Sequence, residues 1–293
     1  TFQEGPTMSE QLLAQLINGL LIGCMYSLIA VGLTMIWGVM NIINFAHADF
    51  LMIGMFTSFW LYTLYGVDPL LSIPVCGVLL FLLGWIIYKF VVSKVMTGPG
   101  LAQVVVTFGV SIFIANAAVF LWSPDFRMIE KPLLQGSWIM GPVRLSIPKA
   151  VASIGSIVAS GALFLFLRKT KTGKAILAVE MNRSSALLMG INTERVNALS
   201  FAIGSSLVGI AGAFLSMYYY IYPQVGGTFG LLSFCIVALG GFGSIEGAFI
   251  AGILIGIVQT LGGYYFDPAY KYAIVFALYL VTVWIRPQGL MGW

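Results

Sequence analysis

GVMNIINFAHADFLMIG (residues 38–54) decides the fold. Long apolar runs flank this stretch. Its middle carries two asparagines, Asn41 and Asn44, the chain's sole histidine, His47, and one acid, Asp49. Irregular polar backbone is tolerated at bilayer depth only where protein buries it or where it lines a water-filled path. A second apolar run is interrupted in a similar way. ALGGFGSIEGAFIAG (residues 238–252) holds Ser244 and Glu246, and the other eight acids lie in or beside polar segments. Paired broken segments predict a translocation route, with Asn41, Asn44, His47, Asp49, Ser244 and Glu246 at its tips.

Composition bounds the rest. Of 293 residues, 60% are hydrophobic and 8% charged, against about 25% charged in soluble domains. The chain therefore reads as one all-α polytopic membrane domain over residues 1–293, with eight or nine membrane segments counting broken or re-entrant helices. The net charge of +4 reflects loop placement, not a nucleic-acid surface. Cys24, Cys76 and Cys235 sit in apolar spans and are read as small buried hydrophobes. The first apolar run, residues 12–37, exceeds the roughly 7–15 residues of a signal-peptide core. The opening TFQEGPT precedes Met8 and is read as an added leader without functional weight. One histidine excludes a Ser/His/Asp constellation, and no metal cluster is legible. No phosphate-binding loop is present, and MTGPGLAQ (residues 96–103) is a turn between spans. The chain is expected to be no enzyme and to hold no cofactor of its own.

A crossing helix needs about 20 apolar residues. Candidates are residues 12–37, 49–65, 69–92, 101–122, 150–167 and 196–222, then a broken stretch at 229–261, then 272–285. The broken stretch is too long for one crossing, so GGFGS should divide it into a full hairpin or a re-entrant pair. Residues 168–195 carry six of the fourteen Lys and Arg and are placed in the cytoplasm. Residues 123–149 then lie outside, where GSWIMGPVRLSIP alternates enough for a short β-hairpin. Gly19, Gly23 and Ser27 recur every four residues, as do Ala248, Gly252 and Gly256. Such stripes serve internal helix packing or an interface with a second membrane subunit. Tyr218, Tyr219, Tyr220, Tyr222, Tyr264 and Tyr265 gather at the outer boundary, as an aromatic belt or a docking surface.

Three motifs in order carry a resemblance that runs from about residue 12 to 290. INFAHADF (residues 43–50) is similar to an INFAHGE-type motif, with Ala48 and Asp49 in place of Gly and Glu. Residues 238–256 resemble an LGGxGSxxGAxxGG pattern. TGKAILAVEMNRSSALLMGIN (residues 172–192) matches a cytoplasmic loop at Gly173, Ala175, Ala178, Ala186, Gly190, Ile191 and Asn192, with Leu177 where a basic residue is common. The chain resembles the membrane subunits of high-affinity branched-chain amino-acid ABC importers, whose relatives import urea, short amides and ribose.

The resemblance implies several expectations. The loop should dock in a groove of an ATPase subunit through Gly173, Lys174, Ala175, Ala178, Glu180, Ala186, Gly190, Ile191 and Asn192. Within it, two short helices are read, the first near residues 174–181 and the second capped by Ser184, with Gly190 as a C-terminal cap and Asn192 capping the next helix. A plain amphipathic helix lying on the membrane is the other reading of that loop. Expected partners are a homologous permease as heterodimer, two ATPase subunits that bind ATP and Mg, a periplasmic binding protein and membrane lipid, with no nucleic acid. The expected location is a bacterial or archaeal cytoplasmic membrane. Asp49 and Glu246 either line the path or cap helix ends, the latter being favoured because both begin or precede a helix. Two rivals stand: a urea or short-amide permease, and an ion-coupled transporter using Asp49, His47 and Glu246 as a relay.

Overall fold

The structure, a computed structural model, describes residues 8–140 and 143–292. Residues 1–7, and with them the reading of the opening TFQEGPT, lie outside the described residues. Eleven α-helices run in order among the described residues: α1 (Met8–Met40), α2 (His47–Tyr65), α3 (Pro69–Phe90), α4 (Gly100–Trp122), α5 (Ile147–Lys169), α6 (Lys171–Met181), α7 (Arg183–Leu188), α8 (Thr193–Leu215), α9 (Val225–Gly240), α10 (Ile245–Tyr265) and α11 (Lys271–Ile285). Strands β1 (Ser137–Met140) and β2 (Val143–Ser146) pair antiparallel before α5. That is the hairpin expected from the alternating residues there; its turn at residues 141–142 lies outside the described residues.

Seven helices are long and apolar enough to cross a membrane: α1, α3, α4, α5, α8, α10 and α11, the spans at α3 and α11 including short 3-10 turns. Of the other four, α6 and α7 form the basic loop, and α2 and α9 each follow a break. α9 has 16 residues, about 24 Å of helix against a hydrocarbon core of about 30 Å. α1 and α8 form the centre: 83% of α1's most apolar window is buried, against 11% for α4. The basic loop at residues 168–195 marks one end of the bundle, here called the basic end.

Close backbone approach sets this arrangement. α1 runs antiparallel to α10, and the two small-residue stripes meet. A Cβ added at Gly19 would lie 2.7 Å from Ile257 Cα, and one at Gly23 2.7 Å from Ile253 Cα. Ser27 Oγ donates to the Phe249 carbonyl at 2.6 Å. The stripes are thus an internal seam. Gly32 meets Gly204 of α8, and Gly54 of α2 meets Gly209 of α8. Ser72 and Ser216 each donate to Ser58 Oγ at 2.9 Å, tying α2, α3 and α8. Lipid gives no hydrophobic drive between helices, so such contacts and hydrogen bonds hold them together.

Local punctuation follows residue chemistry. Gly66, at φ +66°, closes α2, and Asp68 accepts the Leu70 N–H at 2.9 Å with Pro69 opening α3. Two boundaries differ from expectation. The span read as residues 196–222 ends as a helix at Leu215, because residues 216–224 turn and pair Ile221 with Arg127 through backbone hydrogen bonds of 2.8 and 2.9 Å. The broken stretch at 229–261 is two helices, the short α9 and the span-length α10: α9 begins earlier, at Val225, and GGFGS is the turn into α10.

The seam yields a packing prediction. Gly256→Ala should lower the thermal midpoint by several degrees, because overpacking costs about 1–3 kcal/mol. Gly109→Ala in α4, where nothing lies within 4 Å, should leave it unchanged or raise it. Thermal unfolding of both variants in one detergent checks the pair.

Candidate functional site

The first polar tip sits deep in the bundle. α1 ends at Met40, and residues 41–46 form no helix. Asn41 adopts φ +53° and is exposed. Asn44 is fully buried, and its Oδ1 accepts the Ala46 N–H at 3.2 Å. His47 Nε2 lies 3.0 Å from the Ile29 carbonyl. A carbonyl only accepts, so Nε2 donates, and Nδ1 has no partner among the described residues. Ile29 lies eleven residues before Met40, about 16 Å along α1. The chain therefore climbs back to mid-bundle before α2 starts.

Asp49 occupies the first turn of α2 and is buried. The first turn of α9 lies against it: a Cβ at Gly226 would stand 2.8 Å from the Ala48 carbonyl oxygen and 3.1 Å from Asp49 Oδ1. Two helix N-termini thus converge on one carboxylate, and both dipoles favour negative charge there. No cation pairs with Asp49 among the described residues. Ser111 of α4 lines the same cavity as Asp49, and Thr107 of the same helix donates to the Ile43 carbonyl at 2.9 Å. A cavity of about 280 Å³ opens between α2, α4 and α9, bounded by Asp49, Ser111, Gly226, Gly227, Phe108 and Leu231. Phe108 and Leu231 are exposed, so the cavity faces the side of the bundle.

The second polar tip is elsewhere. Gly241 at φ +103° and Gly243 at φ +87° make the α9–α10 turn at the basic end. Ser244 caps α10 by accepting the Gly247 N–H at 3.0 Å. Glu246 is exposed and pairs with Arg168 at the end of α5. The structure therefore does not bring Ser244 and Glu246 to Asn44, His47 and Asp49. What does face Asp49 is the first turn of α9, at Gly226 and Gly227, which follows an irregular segment at residues 216–224. Its sequence, SMYYYIYPQ, shows Pro223 but no acid or glycine to mark it. A relay through Asp49, His47 and Glu246 has no continuous geometry, since His47 is turned to Ile29 and Glu246 to Arg168.

The basic loop folds as α6 and α7. Thr170 caps α6, Asn192 caps α8 and Gly190 takes φ +80°. The cap of α7 is Asn182, whose Oδ1 accepts the Ser185 N–H at 2.9 Å, and not Ser184. Asn and Ser cap equally well, and Asn182 is the one that lies just ahead of the first helical residue, Arg183, with Ser184 already inside the helix. Among the residues expected to face a partner, Gly173 and Ala186 point inward instead. A Cβ at Gly173 would collide with the Leu167 backbone of α5. Ala175, Ala178 and Ile191 are half-buried, and Lys174, Gly190 and Asn192 are exposed. The outward surface holds larger residues that sequence reading passed over: Met181, Leu188 and Met189 are 87%, 89% and 81% exposed. Three bare apolar side chains, with Lys171, Lys174 and Arg183 also exposed, form an apolar platform at the basic end.

Glu180 of α6 faces inward to the basic-end mouth. A Cβ at Gly38 would lie 2.8 Å from its Oε1, and one at Gly243 3.8 Å away. It shares a cavity of about 260 Å³ with Arg168, Leu177, Ser244 and Glu246. Burial pushes its carboxyl up to about 7. One side chain thus links the platform to the end of α1 and the α9–α10 turn.

A family profile described as branched-chain amino acid transport system / permease component matches residues 15–283. The high-affinity branched-chain amino acid transport system permease protein LivH of Escherichia coli (strain K12) is 34% identical, covering 97% of this chain and 98% of its own. The corresponding permease protein BraD of Pseudomonas aeruginosa is 32% identical over 96% of this chain and 95% of its own. The ribose import permease protein RbsC of Bacillus subtilis is 31% identical over only 40% of this chain and 38% of its own. No solved structure matches.

Glu180 gives a pH test. Its folded-state carboxyl is raised, so the folded state holds the proton more tightly than the unfolded chain. That stabilisation is complete below the ordinary carboxylate range and is lost as pH rises through about 7. The thermal midpoint should fall between about pH 5 and about pH 8, and Glu180→Gln should flatten that slope. A thermal-shift series across the window measures both.

Proposed function

Given that the chain belongs to the branched-chain amino acid transport permease family, a family of multi-pass amino-acid permeases, we propose that it is the conduit of an importer driven by separate ATPase subunits. The observation that carries this reading is the platform on α6 and α7. Met181, Leu188 and Met189 stand bare at the basic end, and Glu180 beneath them reaches the α1 terminus and the α9–α10 turn. A protein seated on that platform gains a lever on the bundle. The sequence has no phosphate loop of its own, so ATP and Mg belong to the seated partner. By the positive-inside rule the basic end is cytoplasmic, in a bacterial or archaeal inner membrane.

The translocated solute is a branched-chain amino acid. The Asp49 cavity supports a passing site: one carboxylate, two helix N-termini, small glycines and apolar walls, with no cation to hold the solute's carboxylate. Such a site orients an ammonium without gripping the whole molecule, which suits conduction. Its opening onto the side of the bundle fits a second permease subunit completing the wall. A periplasmic binding protein then supplies selectivity. Motion of α6 and α7 on ATP binding and hydrolysis would reach the tips through Glu180, giving alternating access.

Reconstitution tests this reading. Leucine uptake into vesicles should require ATP on the basic-loop side and the binding protein. Leu188→Asp with Met189→Asp should cut both complex recovery and substrate-stimulated ATP hydrolysis by about tenfold or more, since a buried unpaired charge at a docking core costs several kcal/mol. Uptake driven by a proton gradient alone overturns the mechanism. Uptake of urea without leucine keeps the mechanism and replaces the solute.

A further inference from the structure

We propose that a second cavity, at the end opposite the basic loop, is a recognition site for the carboxylate of a small apolar amino acid. The ligand's identity rests on the amino-acid permease reading; the site's chemistry does not. The cavity holds about 510 Å³ and runs between α1, α5, α10, α11 and the segment after α8. Drug-sized and metabolite-sized sites fall in the range of about 300–1,000 Å³. Along α1 it extends from Gln15 down to Tyr26, about 16 Å of helix.

Charge points to an anion. Two lysines line the cavity, Lys149 at the start of α5 and Lys271 at the start of α11, and no acid does. Both are half-buried. Their Nζ atoms stand over aromatic rings, Lys149 at 5.9 Å from Tyr218 and Lys271 at 5.0 Å from Tyr272. Among the described residues neither has a carboxylate partner, for the only ion pair is Arg168–Glu246 at the far end. Two ammonium groups in one crevice, braced by rings rather than by counter-ions, leave their hydrogen-bond donors for a ligand.

Shape and floor point to a short apolar tail. Below the lysines the wall holds Ile22, Met25, Leu215 and Phe229 together with the rings of Tyr26, Tyr218 and Tyr219, and Met25, Tyr26, Leu215 and Phe229 are buried. Gln259 and Thr260 add side-chain polar atoms on the α10 wall. A carboxylate at the rim and a branched hydrocarbon on the floor match this polarity gradient. Placement adds a purpose. Phe229 of α9 forms the wall here, while Gly226, Gly227 and Gly230 of the same helix border the Asp49 cavity. A single helix wall therefore separates a carboxylate site with no acid from an Asp49 site with no base. The two would handle opposite ends of one zwitterion in succession.

The same lysines would also accept the phosphate of an anionic lipid with its acyl chain in the crevice, so the test separates the two sources. Purify the whole importer without its binding protein in nanodiscs of a neutral lipid. Measure binding of radiolabelled leucine, with isocaproate (no amine) and isoamylamine (no carboxylate) as competitors. Leucine should bind, isocaproate should compete and isoamylamine should not. Lys149→Gln with Lys271→Gln should weaken binding about tenfold or more, the scale of one charge-assisted hydrogen bond, and the paired Lys→Arg variant should retain it. Equal competition by isoamylamine, or unchanged affinity in the Gln pair, overturns the site. Loss of leucine binding in nanodiscs containing phosphatidylglycerol, with that lipid co-purifying, also overturns it in favour of lipid. ATP-driven leucine uptake by wild type with the binding protein is scored separately. Its presence without carboxylate binding removes this inference and leaves the permease reading; its absence removes the permease reading.

Discussion

Everything in this bundle hangs on the glycine-lined contact between α1 and α10. Gly19, Gly23 and Ser27 lie against Gly256, Ile253 and Gly252 so closely that a methyl group has no room. In hydrocarbon that closeness is what makes association favourable, because packing and hydrogen bonds replace the missing hydrophobic drive. The consequence is positional. α1 becomes a fixed axis, and the neighbours that matter are measured from it: Gly204 of α8 at Gly32, the Ile29 carbonyl under His47, and Glu180 at Gly38. A looser seam would shift the tips and the platform together.

The two broken helices solve a shared difficulty. Backbone groups released at mid-bundle must find partners. At the first break Asn44 folds back onto the Ala46 N–H and Thr107 holds the Ile43 carbonyl. At the second, Ile221 pairs with Arg127, whose guanidinium bonds the Trp122 carbonyl and stacks over Phe59 and Trp60. Each break is thereby fastened to α4 or to the segment just after it. α4 itself is largely bare, and the cavity beside Asp49 opens past it to the side of the bundle.

Much of this was legible in the chain. An acid, a histidine and two asparagines inside an apolar run cannot be an ordinary span, and Asp49 is where that pattern locates it. The loop at residues 168–195 announced itself by charge, and Asn192 and Gly190 read directly as caps. What escaped reading has physical reasons. GGFGS divides the run as read, because hydropathy drops there, but positive φ at Gly241 and Gly243 makes it a turn at the basic end, away from Asp49. The segment before α9 is aromatic and apolar, so hydropathy ran straight through it, and a single proline was its only mark. In α6 and α7 the direction each residue faces depends on how α5 abuts Gly173, a tertiary fact. That contact turns Ala186 inward and leaves Leu188 and Met189 outside.

The α9–α10 turn has a consequence in time. The last carbonyls of α9, on Leu239 and Gly240, are orphaned by helix geometry. They accept the N–H groups of Leu290 and Met291 at 2.7 and 2.9 Å. Those donors leave the ribosome about fifty residues after their acceptors, a delay of about 3–10 seconds at ordinary elongation rates. Throughout that interval the turn beneath Glu180 lacks these two hydrogen bonds. Completion of the basic end is therefore a late event in biogenesis, and a partner that recognises the finished platform would meet only chains whose synthesis has passed Met291.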